Sequence, residues 1–180
     1  MTIARGGRGH YFPTIGAKKP QKEMGMEFAG RYLFAAPRQN VWAALNDAEM
    51  LKAAIPGCHR LDWTEADRLA LELKINLGVL QPVFSGDLTL SNVVPARSYT
   101  LSGRGRGGLF GLAHGSAEIS LTDLGPQTEL AFLAEAGASA QIMRLGRVLL
   151  GSRAQHVIDH FFERFAAAMG VGLTPLNPPA

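Results

Sequence analysis

One cysteine, Cys58, is all the thiol the chain carries. That excludes an internal disulfide and leaves too few thiols for a cysteine-rich zinc site. Cys58 therefore reads as a packed or loop thiol rather than a nucleophile. Long apolar runs are missing too. No stretch of about 18 uninterrupted apolar residues occurs and the N-terminus lacks the apolar segment of a secretory signal, so no spanning helix is expected and the expected location is the cytoplasm. Charged residues make up only 18% of the sequence. A nucleophile elbow, a Walker sequence and a paired-acid signature are all absent. No repeat of about 20–50 residues is apparent.

What is present is apolar residue: 47% of 180 positions, enough for the core of one domain. The net charge of +3 is unevenly spread. Residues 1–23 hold Arg5, Arg8, Lys18, Lys19 and Lys22 against Glu23, which leaves 13 basic and 14 acidic residues for the nearly neutral remainder. This basic segment has no apolar periodicity and is expected to be a disordered arm over 1–25. It is either an extension upstream of a start at Met24 or Met26, or a basic arm for an anionic membrane or an acidic partner.

From there on, period-two alternation organises the chain. Leu69, Leu71, Leu73, Ile75 and Leu77 share one face, with Arg68, Glu72 and Lys74 opposite. Phe84, Gly86, Leu88 and Leu90 alternate with Ser85, Asp87 and Thr89. The same division recurs at Tyr99, Leu101, Gly103 and Gly105, at Ala117, Ile119 and Leu121, and at Leu130, Phe132, Ala134 and Ala136. With strands at about 27–34 and about 59–65, this predicts an antiparallel sheet of about seven strands with one solvated face. Two short helices are expected between Pro37 and Ile55, broken near Asn46 and Asp47, with Pro37 at the first helical position. A long amphipathic helix is expected from Gln141 to Met169, bent at Gly151, because Ile142, Leu145, Leu149, Val157, Phe161 and Phe165 recur at helical spacing. The segment 170–180, rich in Gly and Pro, is expected to fray.

One apolar sheet face and one apolar helix stripe each need a partner, so the fold class is α+β with the sheet curled around the long helix. Glycines at Gly86, Gly103 and Gly105 remove side chains from the inner face. They either leave a cavity or allow bulges and close approach of the helix. The run Gly103-Arg104-Gly105-Arg106-Gly107-Gly108 lies inside the alternating pattern, without the strand before and helix after that a phosphate loop requires, so nucleic acid is not an expected partner. His156 and His160 stand four apart on the polar side of the long helix, where a solvated face outweighs a metal site lacking a third ligand. His59 and His114, near turns, are candidate acid-base groups only if a partner adjoins them in space.

The segment Leu45-Asn46-Asp47-Ala48-Glu49-Met50-Leu51-Lys52-Ala53-Ala54-Ile55-Pro56-Gly57-Cys58 resembles the carbon monoxide dehydrogenase CoxG family, within the START-like (SRPBCC) helix-grip superfamily. Phe84-x-Gly86, Tyr99-x-Leu101-x-Gly103-x-Gly105-x-Gly107-Gly108, Ala113-x-Gly115-x-Ala117, Leu145-Gly146 and Phe161-Phe162-x-x-Phe165 extend the likeness over Met26 to Phe165. The resemblance implies a helix-grip domain over 26–169 with a hydrophobic cavity. It also implies an accessory role beside a molybdenum hydroxylase, peripheral membrane contact and a quinone-like ligand, with no catalytic residues. The expected ligand-binding residues are Leu73, Phe84, Gly86, Leu88, Leu101, Gly103, Gly105, Phe110, Phe132, Leu145 and Leu149, with Ile55 and Pro56 at the mouth. No cofactor is expected other than a bound quinone or other lipid, and homodimerisation is left open. Two alternatives stand beside this: a cyclase- or hydrolase-like enzyme using His114 or His59, and an assembly factor with a filled core.

Overall fold

The computed structural model describes residues 25–76, 79–139, 143–144 and 154–176. Strand β1 (Met26–Phe34) is followed by helices α1 (Arg38–Leu45) and α2 (Ala48–Ala54). Six strands come next: β2 (Cys58–Glu65), β3 (Arg68–Lys74), β4 (Val83–Val94), β5 (Ser98–Arg106), β6 (Leu112–Asp123) and β7 (Thr128–Ala138). Helix α3 (Ala154–Met169) and a short strand β8 (Leu173–Pro175) complete the fold. The strands form one antiparallel sheet of eight in the order β2-β3-β4-β5-β6-β7-β1-β8, the meander anticipated from the alternation.

Three local details differ from expectation or sharpen it. Pro37 is the N-cap of α1, extended at φ −60° and ψ 149°, rather than its first helical residue. The helix break falls where expected because the Asp47 carboxylate accepts the backbone N–H groups of Glu49 (2.9 Å) and Met50 (3.2 Å), a cap that starts a second helix. The stretch 170–180, expected to fray, is a correction over its described part. Leu173–Pro175 pairs with Tyr32–Phe34 and adds the eighth strand at the edge. The Ala35 N–H donates to the Gly172 carbonyl (2.9 Å) just before it. Of the long helix, Ala154–Met169 is described as one element; the expected bend at Gly151 lies outside the described residues.

The core is densest where α3 crosses β1 and β7. Phe162 stacks on Tyr32 at 4.2 Å between ring centroids and on Phe132 at 5.6 Å, while Phe165 meets Phe34 edge-on at 5.9 Å. Such pairs each contribute about 0.5–1.5 kcal/mol beyond area burial. Thr128, fully buried, donates its hydroxyl to the Ala36 carbonyl (2.7 Å). That bond ties the start of β7 to the turn between β1 and α1. Helix α3 is bound to α2 by the Arg164 guanidinium, which donates twice to the Ala53 carbonyl, at 2.9 and 3.2 Å. This satisfies a carbonyl that the last turn of α2 leaves without a helical partner.

Candidate functional site

Side chains on the inner face of the sheet fall into rows running across the strands, and the rows differ in bulk from one end to the other. At one end Leu121, Leu130 and Tyr32 are paired neighbours, and next to them Tyr99, Ile119 and Phe132. These are the rows that α3 covers. Two steps along, Leu88 is followed by Gly103, Gly115 and Ala136. In the last row Leu71 is followed by Gly86, Gly105, Ala113 and Ala138. The sheet therefore has one end paved with large side chains and one end paved almost entirely with hydrogen atoms and methyl groups.

Over the thin end lies a concave space of about 670 Å³. Its inner wall is built from Leu71, Leu73, Ile75, Phe84, Leu88 and Leu101 around the Gly and Ala rows. Volumes of roughly 300–1,000 Å³ are usual for small-molecule sites. The two readings of the glycines both hold, at different positions. A methyl group at Gly86 would run into the Arg104 carbonyl, so Gly86 is there for close strand approach. At Gly105 an added methyl meets only ordinary contacts, the Ser85 carbonyl oxygen at 3.4 Å and the Gly86 Cα at 4.0 Å.

Leu73, Phe84, Gly86, Leu88, Leu101, Gly103 and Gly105 all line this space, as the alternation implies. Phe132 does not: it stacks on Phe162 and lies parallel to Tyr32 in the filled end, so its assignment to the cavity is corrected. Ile55, at the C-cap of α2, packs against the core and Pro56 is exposed beside it; neither is among the residues lining the space. Phe110 sits in the short 3-10 turn Gly108–Phe110, and its side chain lies outside the described residues. Leu145 and Leu149 also lie outside them. Leu71, Ile75, Ala113, Gly115 and Ala117 are wall residues left out of the expected set, although all but Ile75, which follows β3, sit on the inner phase of their strands.

The titratable residues that border the space, Asp87, Arg104, His114 and Glu135, do so from the outward phase of their strands. His114 alternates to the outer face and its ring lies across Gly137, while His59 is exposed at a β-bulge in β2. His114 borders the space, but its ring is on the outward phase, and His59 is not among the lining residues. His156 and His160 meet edge-on at 5.4 Å on the exposed side of α3, and His160 pairs with Glu163 at 3.3 Å. The Cys58 thiol donates to the Arg60 carbonyl (3.3 Å), and burial pushes its pKa up, away from a nucleophilic thiolate.

A polar cluster also joins the interior to the C-terminal helix. The Tyr32 hydroxyl donates to the Asp159 carboxylate (2.6 Å), and the Gln155 amide donates to both (3.2 and 3.0 Å). Burial, then the bond to Asp159, raises the Tyr32 phenol well above its ordinary range, so it stays a neutral donor. The cluster joins β1 to α3 and is not among the residues lining the space.

A curved antiparallel sheet that grips a C-terminal helix and leaves an apolar space at one end defines a START-like helix-grip protein. The chain belongs to the CoxG family of carbon monoxide dehydrogenase, whose model matches residues 30–170. Among solved structures it is similar to a conserved protein from Geobacillus kaustophilus, with 22% identity, TM-score 0.69, and 81% of this chain and 99% of that one covered. It is also similar to the ZhuI aromatase/cyclase from Streptomyces, with 15% identity, TM-score 0.59 and coverage of 81% and 94%. A norcoclaurine synthase from Thalictrum shares the fold at 11% identity and TM-score 0.56, with 81% and 94% covered. At these identities the likeness is one of fold. A comparison with curated protein sequences gives no match.

Proposed function

We propose that this protein binds a lipophilic, quinone-like molecule in the space over the Gly and Ala rows, as an accessory to a molybdenum hydroxylase of the carbon monoxide dehydrogenase type. One observation carries the reading: the residues on the inner phase that line the space are all apolar, over a volume suited to a small molecule, while Ser85, Asp87, Arg104, His114, Ser116 and Glu135, which also border it, alternate to the outward phase of their strands. Such a wall rewards burial of apolar surface at about 25 cal/mol per Å² and offers no charge to orient an ionic substrate. Membership of the CoxG family supports the accessory role and the absence of catalysis. The filled-core alternative is disfavoured by the space left open among the described residues, and the enzymatic one by the outward placement of His114.

Titration with a short-chain quinone analogue tests the reading. Trp42, against Tyr99, and Trp63, paired with Leu69 on the inner face, should be quenched saturably. Gly105→Leu, which puts a side chain into the space, should abolish the quenching. A non-saturable response, or an equal response in Gly105→Leu, would count against the cavity as the site.

A further inference from the structure

Along the inner phase of β5 and just past its end, Gly103, Gly105 and Gly107 follow one another at every second residue. Two of the three are covered by side chains from β4. The Leu88 Cδ2 stands 2.9 Å from the point where a Cβ on Gly103 would be. The Phe84 ring occupies the place of a Cβ on Gly107, which is buried. Between them Gly105 stays bare. Its β4 neighbour Gly86 has to be bare, because a Cβ there would run into the Arg104 carbonyl. Large side chains that lean from β4 over β5 at two places and not at the third leave a slot among the described residues.

The slot follows the row Leu71, Gly86, Gly105, Ala113 across the strands. Leu71 closes it on β3, and Phe84 and Leu88 are its long walls. Strand spacing makes it about 14 Å long from Leu71 to Ala113. The rise from Phe84 to Leu88 puts their Cα atoms about 13 Å apart, and the bulk of both side chains narrows that to about the width of one six-membered ring lying face down. A flat ring touches a bare backbone floor with every atom of one face, whereas a puckered or branched skeleton touches it with a few, and dispersion attraction grows with the number of contacts. We infer that the slot selects a planar, ring-bearing apolar ligand one ring wide, lying against the Gly86 and Gly105 backbone with its long axis across the strands, and that Phe84 and Leu88 set the width it accepts. The inference rests on the function proposed above and gives the shape of its ligand.

Two neutral quinones separate shape from apolarity: a dimethyl-naphthoquinone, which is flat, and a benzoquinone carrying two tert-butyl groups, which has more hydrocarbon but holds it above and below the ring plane. Each is titrated into the full chain with tryptophan quenching as the readout. Area burial alone favours the second. The slot favours the first, which should bind tighter by about tenfold or more. Leu88→Ala uncovers Gly103 and widens the slot, so the tert-butyl compound should gain and the preference should shrink. Gly105→Ala, where only ordinary contacts await the methyl group, lifts a flat ring off the floor. It should weaken the naphthoquinone by about tenfold more than the bulkier quinone, and it carries the test alone if Leu88→Ala does not fold. Equal binding of the two quinones, or an equal loss of both in Gly105→Ala, would overturn the slot and leave a quinone-binding cavity standing. Saturable binding of neither would overturn the slot and the proposed function together.

Discussion

Gly86 and Gly105 face each other across β4 and β5, yet they answer to different constraints. Gly86→Ala forces a methyl group against a backbone carbonyl that has no rotamer to yield, and should cost about 1–3 kcal/mol. Gly105→Ala meets only ordinary contact and should be close to neutral, as should Arg104→Ala on the solvated face. Chemical denaturation of the three variants checks the order; equal losses at both glycines would mean that the space at Gly105 is not open. Tyrosines set a second test at this scale. Burial pushes the Tyr99 phenol up to about 12 from its ordinary 10.0, and Tyr32 is raised further. A folded-state pKa above the unfolded one contributes stability that is complete below about pH 10 and is lost as pH rises through the folded value. The melting temperature should therefore fall between about pH 10 and 12, and Tyr99→Phe should flatten that decline. An unchanged slope in Tyr99→Phe would show that Tyr99 ionises as freely folded as unfolded.

At the scale of elements, the period-two strands were readable because each divides into an apolar and a polar row, and the Asp47 break because a carboxylate caps its helix. Strand β8 was not. Three residues ending in proline carry no alternation, and what makes Leu173–Pro175 a strand is the free edge of β1, which exists only in the folded sheet. For the same reason Phe132 looked like cavity wall: its phase is inward, but phase cannot say which row α3 covers. The pairing of β8 predicts that a chain ended at Gly172 loses about 3 °C or more in melting temperature. Arg164→Ala should cost about 1 kcal/mol by uncapping α2, measured by denaturant unfolding. A truncated chain melting like the full one would make β8 a passenger on the sheet.

For the whole molecule, the uneven bulk of the inner face has a consequence for how the protein breathes. Where Tyr32, Phe34, Phe162 and Phe165 interlock, opening a backbone hydrogen bond means dismantling packed rings. Around Gly103, Gly105, Ala113 and Gly115 little side-chain contact among the described residues has to be broken. A single strand should then exchange its amide hydrogens at two paces: in β5, slowly near Tyr99 and quickly near Gly105, with β6 graded in the same sense from Ile119 to Ala113. An apolar guest seated on the thin rows would supply the missing contacts and slow the fast half alone. The bound molecule would be the part of the hydrophobic core that the chain does not encode, and the empty protein a fold whose cooperativity stops partway along its own strands.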